Sequence, residues 1–421
     1  MPKLIKYEFI KIWNSRISSV VIALVLVISC CFSGYQIFKY KTGKVVSSIN
    51  RSEYPSGIVS NKNIDSFREK IREFEDREEI YEKDSSVQNS YAGYVLKGKY
   101  DVKEDDLLKK ALDGEITNEE YHKILSEYNS APCIKEEYLS EYFALYYPIS
   151  VYETAQRDMN VYFENFERTD YELNKRIDYS MNAYNIAEKL ENGIYYGYDY
   201  GWDVAEGVFA GVGILLIFVI IFGLCGVFSE EYRLGTDSLL LSTKKGKNKL
   251  ATAKILTGII YSLICTLGGA LVSYLPSLII LGFEGGNVGY SITHFQHFTA
   301  KVISLFLACC VISMITLCFS AFFRKITTII FCTALVNVSP AFLTYSIDLM
   351  NKIPFDTEVF LNTLPINILI NSHQIFQQYA TMIQGLFTIR TLYISLLVSV
   401  FLIILLSLLV KVLYLKHRIR N

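Results

Sequence analysis

Residues 207–228 read GVFAGVGILLIFVIIFGLCGVF and contain no charged side chain. An α-helix of these 22 residues rises about 33 Å, which matches a bilayer hydrocarbon core about 30 Å thick. A buried helix of a soluble protein is usually shorter and keeps a polar face. The stretch therefore predicts a helix that spans a membrane.

Five further charge-free intervals of 20–29 residues lie on either side of this stretch. They are Ile17–Phe38, Ile255–Phe283, Val302–Phe323, Ile326–Ile347 and Thr391–Val410. The pattern predicts an all-α, polytopic membrane protein with six transmembrane helices. We place the first span at 17–38, the second at 206–228 and the other four within 255–421.

Charge is distributed unevenly along the 421 residues. Segment 39–205 holds 22 of the 41 Lys and Arg residues and 33 of the 42 Asp and Glu residues, so its net charge is 22 − 33 = −11. The rest of the chain has 19 − 9 = +10. One polar, acidic segment within an apolar, basic chain excludes a single soluble globule, a disordered chain and a nucleic-acid binder with a basic face.

The positions of Lys and Arg predict the topology. If the N-terminus is cytoplasmic, sixteen of them fall on the inner side and three on the outer side, leaving out the long segment 39–205. Basic residues concentrate in short cytoplasmic loops, whereas long translocated domains do not obey the rule. Both termini and the loop 229–254 are therefore expected in the cytoplasm, and 39–205 outside. The richness in Lys, Ile, Asn and Tyr is typical of a bacterial cell membrane protein from an AT-rich genome.

The outer segment 39–205 predicts a mainly helical extracytoplasmic domain. Ile64, Phe67, Ile71 and Phe74 recur at helical spacing among charged residues, and 135–192 is again helical, with an interruption expected at Pro148. The segment also contains 21 of the chain's 31 tyrosines. They could form a surface for a peptide, a glycan or a cell-wall fragment. The simpler interpretation is that they pack a small helical core with their hydroxyls in water.

The loop after the second span reads SEEYRLGTDSLLLSTKKGK over residues 229–247. It is too short and too polar to span a membrane. Its acidic start suits a helix N-terminus, and Gly235 permits a turn. Three leucines then form an apolar knob, and the following lysines would lie at the phospholipid headgroups.

This loop resembles the first inner loop of the permease subunits of ABC type-2 transporters. In that family an acidic residue, a Gly-Thr pair, a leucine-rich run and a basic stretch form a coupling helix that docks on an ATPase subunit. The resemblance implies that coupling to the ATPase involves these residues: Glu230, Glu231, Gly235, Thr236, Leu239, Leu240 and Leu241. Lys254 matches the basic residue that opens the next span, and residues 1–16 resemble the family's cytoplasmic interfacial helix. The long segment 39–205 departs from the family pattern.

The resemblance also implies partners. Six spans form half of a pathway, so a second permease, identical or related, is expected to make a homo- or heterodimer within the lipid bilayer. No stretch of this chain has the Gly-x-x-x-x-Gly-Lys-Ser/Thr pattern of a phosphate-binding loop. We therefore expect no enzymatic activity and no cofactor in this chain, with ATP and Mg²⁺ bound by the partner ATPase subunit.

A few polar or helix-breaking residues interrupt the apolar sequence. Asn337 and Pro340 in the fifth span, and Pro276 in the third, mark either a substrate path or bends where helices pack. The outer stretch 349–390 predicts short helices that enter the membrane interface, as the family also implies. His294 and His297 could share a helix face, but no third metal ligand is evident, so no metal site is assigned.

These features predict the membrane permease subunit of an ATP-binding cassette exporter. The substrate would be amphipathic: a peptide, a lipid-like molecule or a drug. The alternative is a membrane sensor or anchor, in which the outer domain binds a ligand and the inner loop signals to a cytoplasmic partner.

Overall fold

The computed structural model describes residues 2–42, 54–75, 81–82, 133–134, 139–167, 173–236, 248–289, 292–348, 355–365, 367, 378–382 and 387–417. Helices form most of it. They are α1 Pro2–Trp13, α2 Arg16–Thr42, α3 Ile64–Glu75, α4 Leu139–Glu167, α5 Leu173–Asn192, α6 Tyr200–Leu224, α7 Gly226–Leu234, α8 Asn248–Leu281, α9 His294–Phe322, α10 Ile326–Asp348, α11 Phe355–Asn362 and α12 Thr391–His417. The strands are β1 Gly57–Val59, β2 Tyr81–Glu82, β3 Cys133–Ile134, β4 Ile194–Tyr196, β5 Tyr379–Met382 and β6 Phe387–Arg390.

Within the described residues, five stretches of helix are long and apolar enough to cross a membrane: Arg16–Lys39, Tyr200–Leu234, Asn248–Leu281, His294–Phe322 and Thr391–Lys416. The predicted fifth span, 326–347, falls on α10, of which the stretch Ile326–Ser339 is apolar but shorter. The prediction of an all-α, polytopic membrane protein is confirmed.

Helix α6 forms the centre of the bundle. Most of its residues are buried, among them Val208, Phe209, Ile220 and Leu224, and the exposed Ile214 and Phe218 share one face. It packs against α2, α8 and α9. Small residues permit this close packing, since a Cβ atom at Gly223 would collide with the Tyr261 ring of α8. Helix α12, in contrast, packs mainly on α9 and exposes half of its apolar side chains.

The outer segment forms a small helical unit with its own apolar core. Helices α3, α4 and α5 pack together, and β1 pairs with β4 in an antiparallel ladder. Tyr142, Tyr152 and Tyr196 are buried in this core. Tyrosine therefore serves here as a core residue, but the Tyr142 hydroxyl is buried instead of lying in water, and Tyr184 is exposed.

Two local expectations need correction. Helix α4 continues through Pro148 without interruption. A proline removes one helical hydrogen bond, and here the buried neighbours Phe143, Ile149 and Tyr152 hold the helix against the core on both sides of it. The outer stretch 349–390 is helical at α11, but its end forms the β5–β6 hairpin instead of a helix. Aromatic and β-branched residues in both strands favour this pairing.

Candidate functional site

The candidate site is built around α7, the short helix that follows α6 after Cys225. Cys225 keeps helical backbone angles, so the chain runs from α6 into α7 without a loop. Helix α7 is amphipathic. It buries Phe228, Glu231 and Tyr232 and exposes Arg233 and Leu234.

The end of α7 is set by Gly235, whose φ of +67° lies in the left-handed region. Its N–H points back to the carbonyls of Glu231 and Tyr232, and the Thr236 N–H donates to the Glu231 carbonyl at 3.1 Å. This geometry closes the helix by satisfying its last carbonyl groups. Gly235 thus makes the turn that its position in the sequence indicates.

Lys254 lies at the centre of a buried ion-pair network. Its side chain is fully buried, and its Nζ donates to Glu231 Oε1 at 2.6 Å and to the Val227 carbonyl at 2.5 Å. Glu8 Oε2 lies 3.5 Å from the same Nζ, and the ammonium group also lies 4.7 Å from the centre of the Phe228 ring. A buried ammonium requires such compensation, because removing it from water is costly.

The network joins three helices. Glu8 belongs to α1, Glu231 to α7 and Lys254 to α8, and Lys11 of α1 adds a second ion pair to Glu231 Oε1 at 3.2 Å. Two carboxylates thus face two ammonium groups, so the cluster carries no net formal charge. The motif residues Glu231 and Lys254, which are 23 positions apart, are in direct contact.

A fourth helix, α9, holds α7 from the other side. Ser320 Oγ accepts the backbone N–H groups of Phe228 and Ser229 at 3.0 and 3.3 Å and donates to the Cys225 carbonyl at 2.8 Å. The Tyr232 hydroxyl donates to the Ala321 carbonyl at 3.3 Å. These contacts satisfy the backbone at the start of α7 and bind it to the end of α9.

The residues predicted to couple to the ATPase therefore separate into two groups. Glu231 faces inward and contacts other helices of the same chain. Gly235 and Thr236 are exposed, and Glu230 is half-buried, so they are accessible to a partner. The leucines Leu239–Leu241 lie outside the described residues.

Sequence reasoning missed Glu8, Lys11 and Ser320. Glu8 could have been found, because it interrupts the apolar face of α1 between Leu4 and Ile12, and an acidic residue in such a position usually has a buried partner. Ser320 gave no such signal, since serine is common in membrane helices as a small packing residue.

The predicted pathway residues lie elsewhere in the bundle. Asn337 is buried in α10, and its Nδ2 donates to the Thr333 carbonyl one turn earlier in the same helix at 2.7 Å. Pro276 lies inside α8 and Pro340 inside α10, and both helices continue past them. The structure does not bring these three residues together with the α7 network.

The other end of the bundle has a second ionic cluster. His294 Nδ1 and His297 Nδ1 lie 2.9 and 2.7 Å from the two oxygens of Glu206, and His294 Nε2 lies 3.2 Å from Asp199 Oδ2. The two histidines do share a face of α9, where they bind carboxylates of the α6 region. Across the described part of the chain, no group of three or more His, Cys, Asp or Glu side chains is arranged to hold a metal ion.

Comparison with known proteins agrees with this architecture. The family model described as ABC-2 family transporter protein matches residues 13–409. No curated protein and no solved structure is significantly similar to the chain. The matched region includes α7, Lys254, four of the five candidate spans found among the described residues and most of the fifth, Thr391–Lys416. The chain therefore belongs to the ABC-2 family of transporter proteins.

Proposed function

We propose that this protein is the permease subunit of an ATP-driven exporter that moves an amphipathic substrate, such as a peptide, a lipid-like molecule or a drug, across a bacterial cell membrane. A separate ATPase subunit binds ATP and Mg²⁺ and drives the cycle. A second permease, a copy of this chain or a relative, completes the pathway. Both termini lie in the cytoplasm.

The buried network around Lys254 is the observation that supports this mechanism. An ATPase that pushes on the exposed end of α7 and on the loop that follows would displace Glu231. Because Glu231 is bound to Lys254 and Lys11, the displacement would pass to α8 and α1. Ser320 would pass it to α9. Separating a buried ion pair costs several kcal/mol, so these helices are expected to move together.

The composition of the spans supports an amphipathic substrate over a small ion. Apart from Glu206 at the edge of the second, the predicted spans contain no Lys, Arg, Asp or Glu, whereas proton-coupled and ion-coupled carriers normally place such residues in the membrane. An apolar bundle without charged ligands offers dispersion contacts and a few hydroxyl groups. These suit a molecule that already partitions into lipid.

The first experiment tests for the partner ATPase. The full chain, affinity-tagged at its C-terminus, is purified from its native membranes under mild detergent, and the copurifying proteins are identified. We expect a nucleotide-hydrolysing subunit whose recovery falls when the exposed Leu234 is changed to Asp. Glu188→Gln, at an exposed position of α5 and outside the predicted coupling residues, serves as the control. A chain that never retains a nucleotide hydrolase would refute the proposal.

A second candidate, a ligand sensor, is favoured by one contact. Asp178 of α5 accepts the backbone N–H of Tyr379 at 2.6 Å, so the outer domain is bonded to the hairpin that precedes α12. Ligand binding outside could move this hairpin. Replacing residues 54–196 with a short flexible linker separates the two functions. An exporter would keep ATP-dependent efflux with altered substrate preference, whereas a sensor would lose its ligand response without losing efflux.

A further inference from the structure

A cavity of about 180 Å³ lies between α2, α6 and α8. Its walls are almost wholly apolar. Its lining includes Trp13, Leu26, Ser29, Val212, Ile264 and Gly268. An apolar cavity of about 150 Å³ remains dry and can bind a hydrocarbon. This cavity is therefore suited to hydrocarbon and not to water.

The cavity is open towards the lipid. Leu26 of α2 and Ile264 of α8 line it and are nevertheless 45% and 43% exposed, so they form the rim of its mouth. Val212 and Leu216 of α6, which are buried, form its floor. Both rim helices are long and apolar enough to cross the membrane. The mouth thus opens into the bilayer.

The depth of the cavity matches one leaflet. Along α1 and α2, the lining residues run from Trp13 to Ser29. From Arg16, where α2 begins, to Ser29 the helix rises about 20 Å, which reaches past the middle of a hydrocarbon core about 30 Å thick. Tryptophan is typical of the membrane interface, and the exposed Arg16 beside it supplies a positive charge at the headgroup level.

We propose that this cavity is a lipid site, which holds part of one acyl chain of an anionic phospholipid from the leaflet next to α1. The headgroup lies beside Arg16 and Trp13, and the chain extends between α2 and α8 towards Gly268. The lipid fills the gap between α2, which leads to the outer domain, and the central helix α6.

Glycine provides a specific test, because a Cβ atom at Gly268 meets no atom within 4 Å. Gly268→Leu should therefore place its side chain in the cavity without forcing other residues apart. A Cβ atom at Gly34 of α2 also meets no atom within 4 Å, but Gly34 does not line the cavity. Gly34→Leu is the matched control for adding a leucine to a membrane helix.

The probe is phosphatidylglycerol with a photoactivatable diazirine in the middle of one chain, added to membranes that contain the full-length protein. After irradiation, adducts are mapped by mass spectrometry. We expect adducts near Leu26 and Ile264 to exceed those at Phe401 and Leu405, which are exposed on α12. Gly268→Leu should lower the cavity adducts several-fold and leave those on α12 unchanged. Equal labelling of the two surfaces, or no effect of Gly268→Leu beyond that of Gly34→Leu, would overturn the proposal.

Two further arms test the chemistry of the ligand. The Ser29 hydroxyl is buried and has no hydrogen-bond partner in the part of the chain that the structure describes. Ser29→Ala should keep the labelling, because the proposal assigns binding to hydrocarbon contacts. Loss of labelling would indicate an amphipathic ligand held by a hydrogen bond and would overturn it. Phosphatidylcholine with the same diazirine chain should label the cavity less, and equal labelling would overturn the assignment of an anionic headgroup.

Discussion

Lys254 carries an ammonium group into the space where α1, α7 and α8 meet, and it is fully buried there. Two carboxylates, a backbone carbonyl and an aromatic ring surround it. The chain could have filled this volume with apolar side chains at no loss of stability. Its charges therefore suggest a role in aligning the three helices rather than in stability alone.

The network predicts the effect of removing its central charge. Lys254→Met keeps the length of the side chain but leaves Glu8 and Glu231 close together without their common partner. Breaking a buried pair in this way costs about 3–5 kcal/mol. The thermal stability of the purified protein should fall markedly, whereas Lys249→Met, at an exposed position on the same helix, should have little effect. Equal stability of the two variants would contradict the buried network.

Glu231 provides a test of coupling rather than of stability. Glu231→Gln keeps the shape and one acceptor but removes the charge that holds Lys254 and Lys11. Substrate-stimulated ATP hydrolysis by the partner should fall several-fold, while the basal hydrolysis rate and membrane insertion remain. Glu188→Gln, the same change at an exposed position of α5 outside the predicted coupling residues, serves as the control. A Glu231→Gln variant with normal stimulation would show that the force does not pass through this residue.

Gly235 is needed for its backbone conformation alone. Its φ is +67°, and a Cβ atom there would meet nothing within 4 Å. Gly235→Ala should therefore weaken the end of α7 by about 1 kcal/mol through backbone strain. Gly235→Asn should have a smaller effect, because asparagine tolerates the left-handed region better. Transport coupling of the two variants should follow the same order, and a reversed order would argue against strain as the cause.

The sequence alone predicts the membrane spans more reliably than it predicts the contacts of Lys254 with Glu8 and Glu231. The charge-free interval that begins at Ile255 places Lys254 at a span boundary, where a lysine would extend to the headgroups. The structure starts α8 at Asn248, about 9 Å earlier along the helix axis. Lys254 therefore lies among the packed helices, and its partner Glu8 belongs to the N-terminal helix α1. Such a contact between distant segments cannot be read from local periodicity.

Among the elements, the β5–β6 hairpin shows where helical expectations fail. The stretch before α12 is apolar and uncharged, which also suits a helix that enters the interface. Aromatic and β-branched residues in both strands favour the strand pairing instead, and Arg390 donates to the Tyr379 hydroxyl at 3.0 Å. Each strand of the hairpin has only four residues, so the position of the hairpin depends on its contacts with other segments.

Asp178 is the contact that we expect to hold the hairpin in place. Asp178→Ala removes the acceptor of the Tyr379 N–H, so this amide should exchange its hydrogen faster in hydrogen–deuterium exchange measurements. Glu188→Gln, at an exposed position of the same helix, should leave the exchange rate unchanged. Protection that survives Asp178→Ala would mean that the outer domain and the hairpin are not linked through this bond.

For the whole molecule, the proposed mechanism depends on the side of the membrane that α7 faces. The excess of Lys and Arg predicts that α7 and the loop after it face the cytoplasm, where an ATPase subunit could reach them. In a Lys245→Cys variant that also carries Cys133→Ser, a membrane-impermeant maleimide should label position 245 only in permeabilised cells. Asn192→Cys in the same Cys133→Ser background, at the end of α5, should be labelled in intact cells. Labelling of position 245 in intact cells would invert the topology, and the network around Lys254 would then face away from ATP and could not transmit its energy.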